Sequence, residues 1–172
     1  MGAKLMALLL SACLFLGCGY HVANNVDALP KNVKTIAIPP FGNTTIRYKL
    51  SDQMAAALTR EFNTRTRYHI VADPNEADAV LTGSVINYFS YPTVFDPTTN
   101  RAAGAQAIVQ LQLTLRDRVS KKVLFSRPHM DFRQNYEISV DPSQYFDESD
   151  AALDRASQEV ARKVVSSILE NF

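Results

Sequence analysis

The 172-residue sequence predicts an α+β fold, a two-layer sandwich of two helices packed on one face of a mostly antiparallel or mixed sheet. Three observations carry this prediction. Residues 50–62 and 147–172 each repeat apolar residues at helical spacing. Residues 105–117 alternate apolar and polar with a period of two, the mark of a sheet buried on one face and wet on the other. The composition, 47% hydrophobic and 20% charged, is that of one domain able to bury a core without metal or disulfide support.

The elements follow in order. Residues 1–17 read as a signal peptide, with Lys4, an apolar run from Leu5 to Leu16, and small Gly17. The run is too short to cross a hydrocarbon core of ~30 Å without strain. The chain's two cysteines, Cys13 and Cys18, lie in or beside this run and not spread out to close loops. A cysteine after a small residue at this place resembles the lipobox of bacterial lipoproteins. That resemblance implies an acylated first residue, at Cys18 or alternatively at Cys13. Leu10-Ser11-Ala12-Cys13 fits better by residue type, but leaves a short apolar core after Lys4. Phe15-Leu16-Gly17-Cys18 leaves a core of better length, with a bulky Phe15 where leucine is usual. Several acyl chains, at ~0.8 kcal/mol per buried CH₂, anchor a chain firmly.

Residues 18–32 read as the lipidated N-terminus and a linker, and 33–172 as a single domain. "NVKTIAIPPF" predicts a short strand rich in β-branched residues and stopped by Pro39-Pro40, with Gly42-Asn43 as a turn. "LSDQMAAALTREF" predicts a helix capped by Ser51, with Leu50, Met54, Leu58 and Phe62 on one face. "RYHIVA" is a short strand and "NEADA" a turn. "AVLTGSVINYFSYPTVF" is a long strand in which Pro92 marks an edge or a bend. After the polar loop "DPTTNRAAG", Val109, Leu111, Leu113 and Leu115 alternate with Gln110, Gln112, Thr114 and Arg116. "RVSKK" turns the chain into a return strand, "VLFSRPHMDFRQNYEI". The closing helix carries Leu153, Ala156, Val160, Val164 and Ile168 on its apolar stripe. Asp147, Glu148 and Asp150 lie at its positive end, and Arg162 and Lys163 towards its negative end.

Enzyme signatures are missing. His21, His69 and His129 are isolated, without the spacing of a metal site, and His69 reads as a surface residue. No phosphate-binding glycine loop or nucleophile elbow occurs, and Gly83-Ser84 is expected to mark the close approach of a helix. The sequence thus predicts no catalytic residue, no metal and no cofactor. A formal net charge of +1 gives no global field to recruit nucleic acid. Tyr88, Phe89, Tyr91 and Phe95 crowd the end of the long strand, as core and edge packing or as a contact surface. Arg101, Arg118, Lys121, Lys122, Arg127 and Arg133 form either a solvated rim or an anion site.

Cys18-Gly19-Tyr20-His21-Val22 resembles the start of the mature part of LptE lipoproteins, the lipopolysaccharide-assembly family of the Gram-negative outer membrane. The order of elements is similar too, through "VKTIAIPPFGN", "ADAVLTGSVINY", "VQLQLTLRD" and "KKVLFSR". The resemblance implies a non-enzymatic outer-membrane lipoprotein that plugs and helps assemble the LptD β-barrel and assists lipopolysaccharide insertion into the outer leaflet. A barrel lumen is polar, so a plug is expected to have a hydrogen-bonding exterior. Tyr88, Tyr91, Gln110 and Gln112 are the expected partner contacts, and Arg101 and Arg127 the expected lipopolysaccharide contacts. Two alternatives stay open. One is a lipoprotein of another envelope or secretion complex, resembling the curli-secretion or TolB N-terminal type and forming a homo-oligomeric ring. The other is a stand-alone periplasmic hydrolase or binding lipoprotein, which needs a deep pocket with convergent polar groups.

Overall fold

The computed structural model describes residues 29–139 and 149–170. Residues 1–17, expected as a signal peptide, and Cys18, His21, Asp147 and Glu148 lie outside the described residues, as does Cys13. Strands β1 (Thr35–Ala37), β2 (Gly42–Asn43), β3 (His69–Val71), β4 (Ala79–Phe95), β5 (Ala102–Asp117) and β6 (Val123–Glu137) form one open sheet. Its order is β3-β1-β4-β5-β6, with β2 beside β4. Helices α1 (Lys49–Arg65) and α2 (Ser149–Glu170) cover one face, giving the expected α+β sandwich. The sheet is mixed: β1 pairs parallel with β3 and β4, and β2 parallel with β4, whereas β4, β5 and β6 run antiparallel.

The predicted stripes become the core. Leu50, Met54, Leu58 and Phe62 of α1 and Leu153, Ala156, Val160, Val164 and Ile168 of α2 are all buried. Ala152, Ala161 and Val165 widen the α2 stripe, because α2 packs on α1 as well as on β5 and β6. On β5, Val109, Leu111, Leu113 and Leu115 face the helices while Gln112 and Arg116 are exposed, as the alternation requires. Residues 29–32, read as the end of the linker, dock on the body: Leu29 is buried and donates its N–H to Tyr68 Oη at 3.1 Å.

Four expectations need correction. Ser51 does not cap α1; the chain is already helical at Tyr48, and the buried Ser51 hydroxyl donates back to the Tyr48 carbonyl at 2.9 Å. Gly42-Asn43, expected as a turn, instead form β2 beside β4, and the chain bends after them at Thr45–Ile46, where Asn43 Oδ1 accepts from the Thr45 N–H at 2.8 Å. Gly83 makes room for an aromatic ring and not for a helix: a Cβ there would stand 2.4 Å from Phe41 Cε2. Arg162 and Lys163 fall short of the last turn of α2, which holds no basic residue, so they lie beyond the reach of its terminal charge. Lys163 instead places its Nζ 5.4 Å from the Phe132 ring centroid.

Candidate partner-facing surface

The β4–β5 ribbon is longer than its cover. β4 has 17 residues, roughly 56 Å of strand at ~3.3 Å per residue. The 17 residues of α1 and 22 of α2 span only about 26 and 33 Å as helix. The far half of β4 therefore runs past the cover, while β5 beside it stays buried at Ala105, Ala107 and Val109. The change comes at Val85, where a bulge shifts the β4–β5 register between Val85 and Asn87. Before it, Ala79, Leu81 and Val85 are fully buried. After it, Phe89, Tyr91, Val94 and Phe95 are 40–56% exposed. Of the aromatic stretch, Phe89, Tyr91 and Phe95 are thus exposed and not packed in the core.

The face away from the helices is a ladder of polar side chains set by strand register. Tyr91 Oη donates to Gln106 Oε1 at 2.7 Å, and Gln106 Nε2 donates to Asn135 Oδ1 at 2.8 Å, a row across three strands. In another row Gln110 Nε2 donates to Asp131 Oδ1 at 3.2 Å. Between them Phe89 and Arg133 flank Ile108, which is only 7% exposed despite lying on this open face. The surface is thus flat, wet at most positions, and tied side chain to side chain.

The bulge sorts the expected contact residues. Tyr91, Gln110 and Gln112 share the open face. Tyr88 stands on the helix side, where Arg47 Cζ lies 5.1 Å from its ring centroid and Arg47 Nη2 donates to its hydroxyl at 3.4 Å. Arg47 also meets Asp150 at 3.5 Å, so the start of α2 is linked to the projecting ribbon. Arg101 is exposed in the turn just before β5. Arg127 lies beside Leu113 on β6, stacked 4.8 Å over the Phe125 ring. About a dozen residues of β5, roughly 35–40 Å of strand, separate these two arginines, so they do not meet in one site. His69 is exposed.

Gln106, Asp131, Asn135 and Ile108 join the surface without having been singled out from the sequence. Their period-2 placement was legible, but their partners depend on cross-strand register. A cleft of about 520 Å³ lies at the covered end, lined by Asn32, Asp78, Asp117 and Lys122 among others. Its carboxylates are already engaged. Asp78 accepts from the Lys34 and Thr35 N–H groups at 2.8 and 2.9 Å, which hold its carboxyl below the ordinary value, with Arg118 adding to the effect. The Ser120 N–H and hydroxyl, then Asn32 and the Val119 N–H, do the same for Asp117. This is structural bonding and not a set of free groups converging on a ligand. Among the described residues no helix is long and apolar enough to cross a membrane.

Residues 33–168 match the family described as LptE: Lipopolysaccharide-assembly. No curated protein is significantly similar to the chain in sequence. Lipoprotein B from Nitrosomonas europaea superposes with a TM-score of 0.56 at 13% identity, over 88% of this chain and 90% of that one. The PelC dodecamer from Paraburkholderia phytofirmans gives 0.53 at 15% identity, over 80% and 88%. A putative lipoprotein from Caulobacter crescentus gives 0.51 at 15%, over 76% and 87%. At such identities these likenesses concern the fold alone. The family match spans most of the domain just described, and on it the chain belongs to the LptE family, the non-enzymatic outer-membrane lipoproteins of lipopolysaccharide assembly.

Proposed function

We propose that the domain is the plug of a large outer-membrane β-barrel of the LptD kind, helps that barrel assemble, and assists lipopolysaccharide insertion from within it. The observation that carries this reading is the open sheet face. Its amides and Tyr91 hydroxyl satisfy one another in the free chain, yet they keep further donors and acceptors for a polar wall. The projecting aromatic half of the ribbon supports the same reading, since such exposure marks a contact surface. An acyl anchor at Cys18, or alternatively Cys13, holds the domain at the membrane.

Arg101 and Arg127 serve as two separate cationic contacts for lipopolysaccharide phosphates. Alanine at both positions is expected to weaken lipopolysaccharide binding; unchanged binding disposes of that assignment. Tagged protein, drawn from detergent-solubilised outer membrane, should bring one large β-barrel with it in equal proportion. A homo-oligomeric ring, or an unacylated chain without an outer-membrane companion, defeats the plug.

A further inference from the structure

We propose that the outer edge of the projecting half of β4, at residues 88–92, accepts an extended strand from a luminal segment of the barrel partner. The inference rests on the plug reading and names the chemistry of the grip. On its outer side β4 pairs with β1 at Ala79 and Val80 and with β2 at Ser84 and Val85. Thr44 ends that row, its hydroxyl donating to the carbonyls of Val85 and Ile86 at 3.2 and 2.7 Å. Beyond this point no described strand pairs with that side of β4.

The direction of the free backbone groups is fixed by one hydrogen bond. The Tyr88 N–H donates to the Asn87 side chain at 2.9 Å, which aims it along the outer side of β4. Strand alternation then puts the polar groups of Tyr88, Ser90 and Pro92 on the outward row. Pro92 fits that place, because a missing N–H on the outward row removes no ladder bond.

The sheet's other edge is guarded and this one is not. β6 carries Arg127, Pro128, His129, Asp131 and Arg133, charges and a proline that deter strand pairing. Residues 86–95 carry no charge at all. An outward row of backbone groups beside exposed Phe89 and Tyr91 is a template for strand addition. The occupant is a polypeptide, since only an extended backbone repeats donors and acceptors at the spacing of the row. It is uncharged where it meets Phe89 and Tyr91, because a charge held against those rings would lose water, and Arg47 beside Tyr88 is already paired with Asp150. A closed barrel wall has no unpaired strand to give. Inside a barrel, the segment is therefore a loop folded into the lumen.

Two variants isolate the edge. The Ser90 hydroxyl bonds the Tyr136 hydroxyl at 2.8 Å, and both Ser90→Ala and Ser90→Pro lose that bond. Only the proline also removes the outward N–H. Both isolated domains should melt cooperatively, with Ser90→Ala capturing barrel like the parent and Ser90→Pro capturing about tenfold less. Equal capture by both overturns the inference. Hydrogen exchange on the intact detergent-solubilised complex gives a second readout. The Ser90 amide should exchange at least about tenfold more slowly than in the isolated chain, with the β6 edge unchanged. Slow exchange already present in the isolated chain, or appearing with its concentration, gives the edge to the chain itself or to a second copy and overturns the inference. Captured barrel with an unprotected Ser90 amide defeats the inference alone; no barrel with the parent protein defeats the plug reading and this inference together.

Discussion

The turn at residues 96–101 and the turn at residues 117–122 close opposite ends of β5 with the same bonds. In each, a leading aspartate accepts from the backbone N–H groups two and three residues on and from a hydroxyl, Thr99 in one and Ser120 in the other. Each ends on a residue with positive φ, Asn100 at 54° and Lys121 at 60°. Their surroundings differ. Asp117 is buried and also bonded to Asn32, while Arg118 donates to the Ala77 carbonyl at 2.6 Å. Asp96 Oδ1 bonds only within its own turn, to Thr98 and Thr99. Local sequence chemistry makes the turns alike, and tertiary packing makes one a structural joint and the other a projecting tip.

The sharpest test of that division is a truncation in the covered half. Leu111→Ala removes a fully buried side chain between sheet and helices and should cost about 2–5 kcal/mol in chemical denaturation. A loss below ~1 kcal/mol would mean that the covered half is not the core. Next come two glycines. Gly83→Ala drives a methyl into the buried Phe41 ring and should cost about 1–3 kcal/mol. Gly104→Ala meets Val94 at 3.3 Å, and Val94 is exposed and able to yield, so its effect should stay within ~0.5 kcal/mol. Equal losses at the two sites would erase the contrast.

Acid sharpens the comparison of the turns. The carboxyls of Asp78, Asp96 and Asp117 are held below 3.8 chiefly by backbone N–H donors aligned in the fold. Their ionised forms stabilise the folded state above the ordinary carboxylate pKa of ~3.9, and that contribution is lost as pH falls through the lowered folded values. The melting midpoint should therefore be level from about pH 5 upward, as far as these groups decide it, and decline below about pH 4. Asp117→Asn should flatten the decline more than Asp96→Asn, because the projecting turn can open locally without releasing the core. The smallest stability effect is expected from Tyr91→Ala, within ~0.5 kcal/mol by thermal melting, yet it should reduce barrel capture.

Much of this was legible beforehand. The two helix stripes and the alternation of β5 are local periodicities, and each became a buried face. The boundaries of β4 followed from its β-branched and aromatic run between turn residues. The contact surface was only half legible. Gln110 and Gln112 keep their parity with the apolar residues of β5, and Tyr88 and Tyr91, three positions apart, must fall on opposite faces, but the bulge between Val85 and Asn87 decides which of the two joins Gln110 and Gln112. Nothing in the residues at that point announces an extra position. Arg101 and Arg127 were grouped by charge, and the strand between them keeps them apart.

By itself the sequence determined which segments are helix or strand, which side chains are apolar inward, and which family the whole pattern resembles, because these follow from each residue's neighbours a few positions away. The strand order, the parallel pairing of β1 with β3 and β4, the Phe41 ring over Gly83, and the bare half of the ribbon were decided only in three dimensions. They depend on contacts between residues tens of positions apart, which no local pattern encodes.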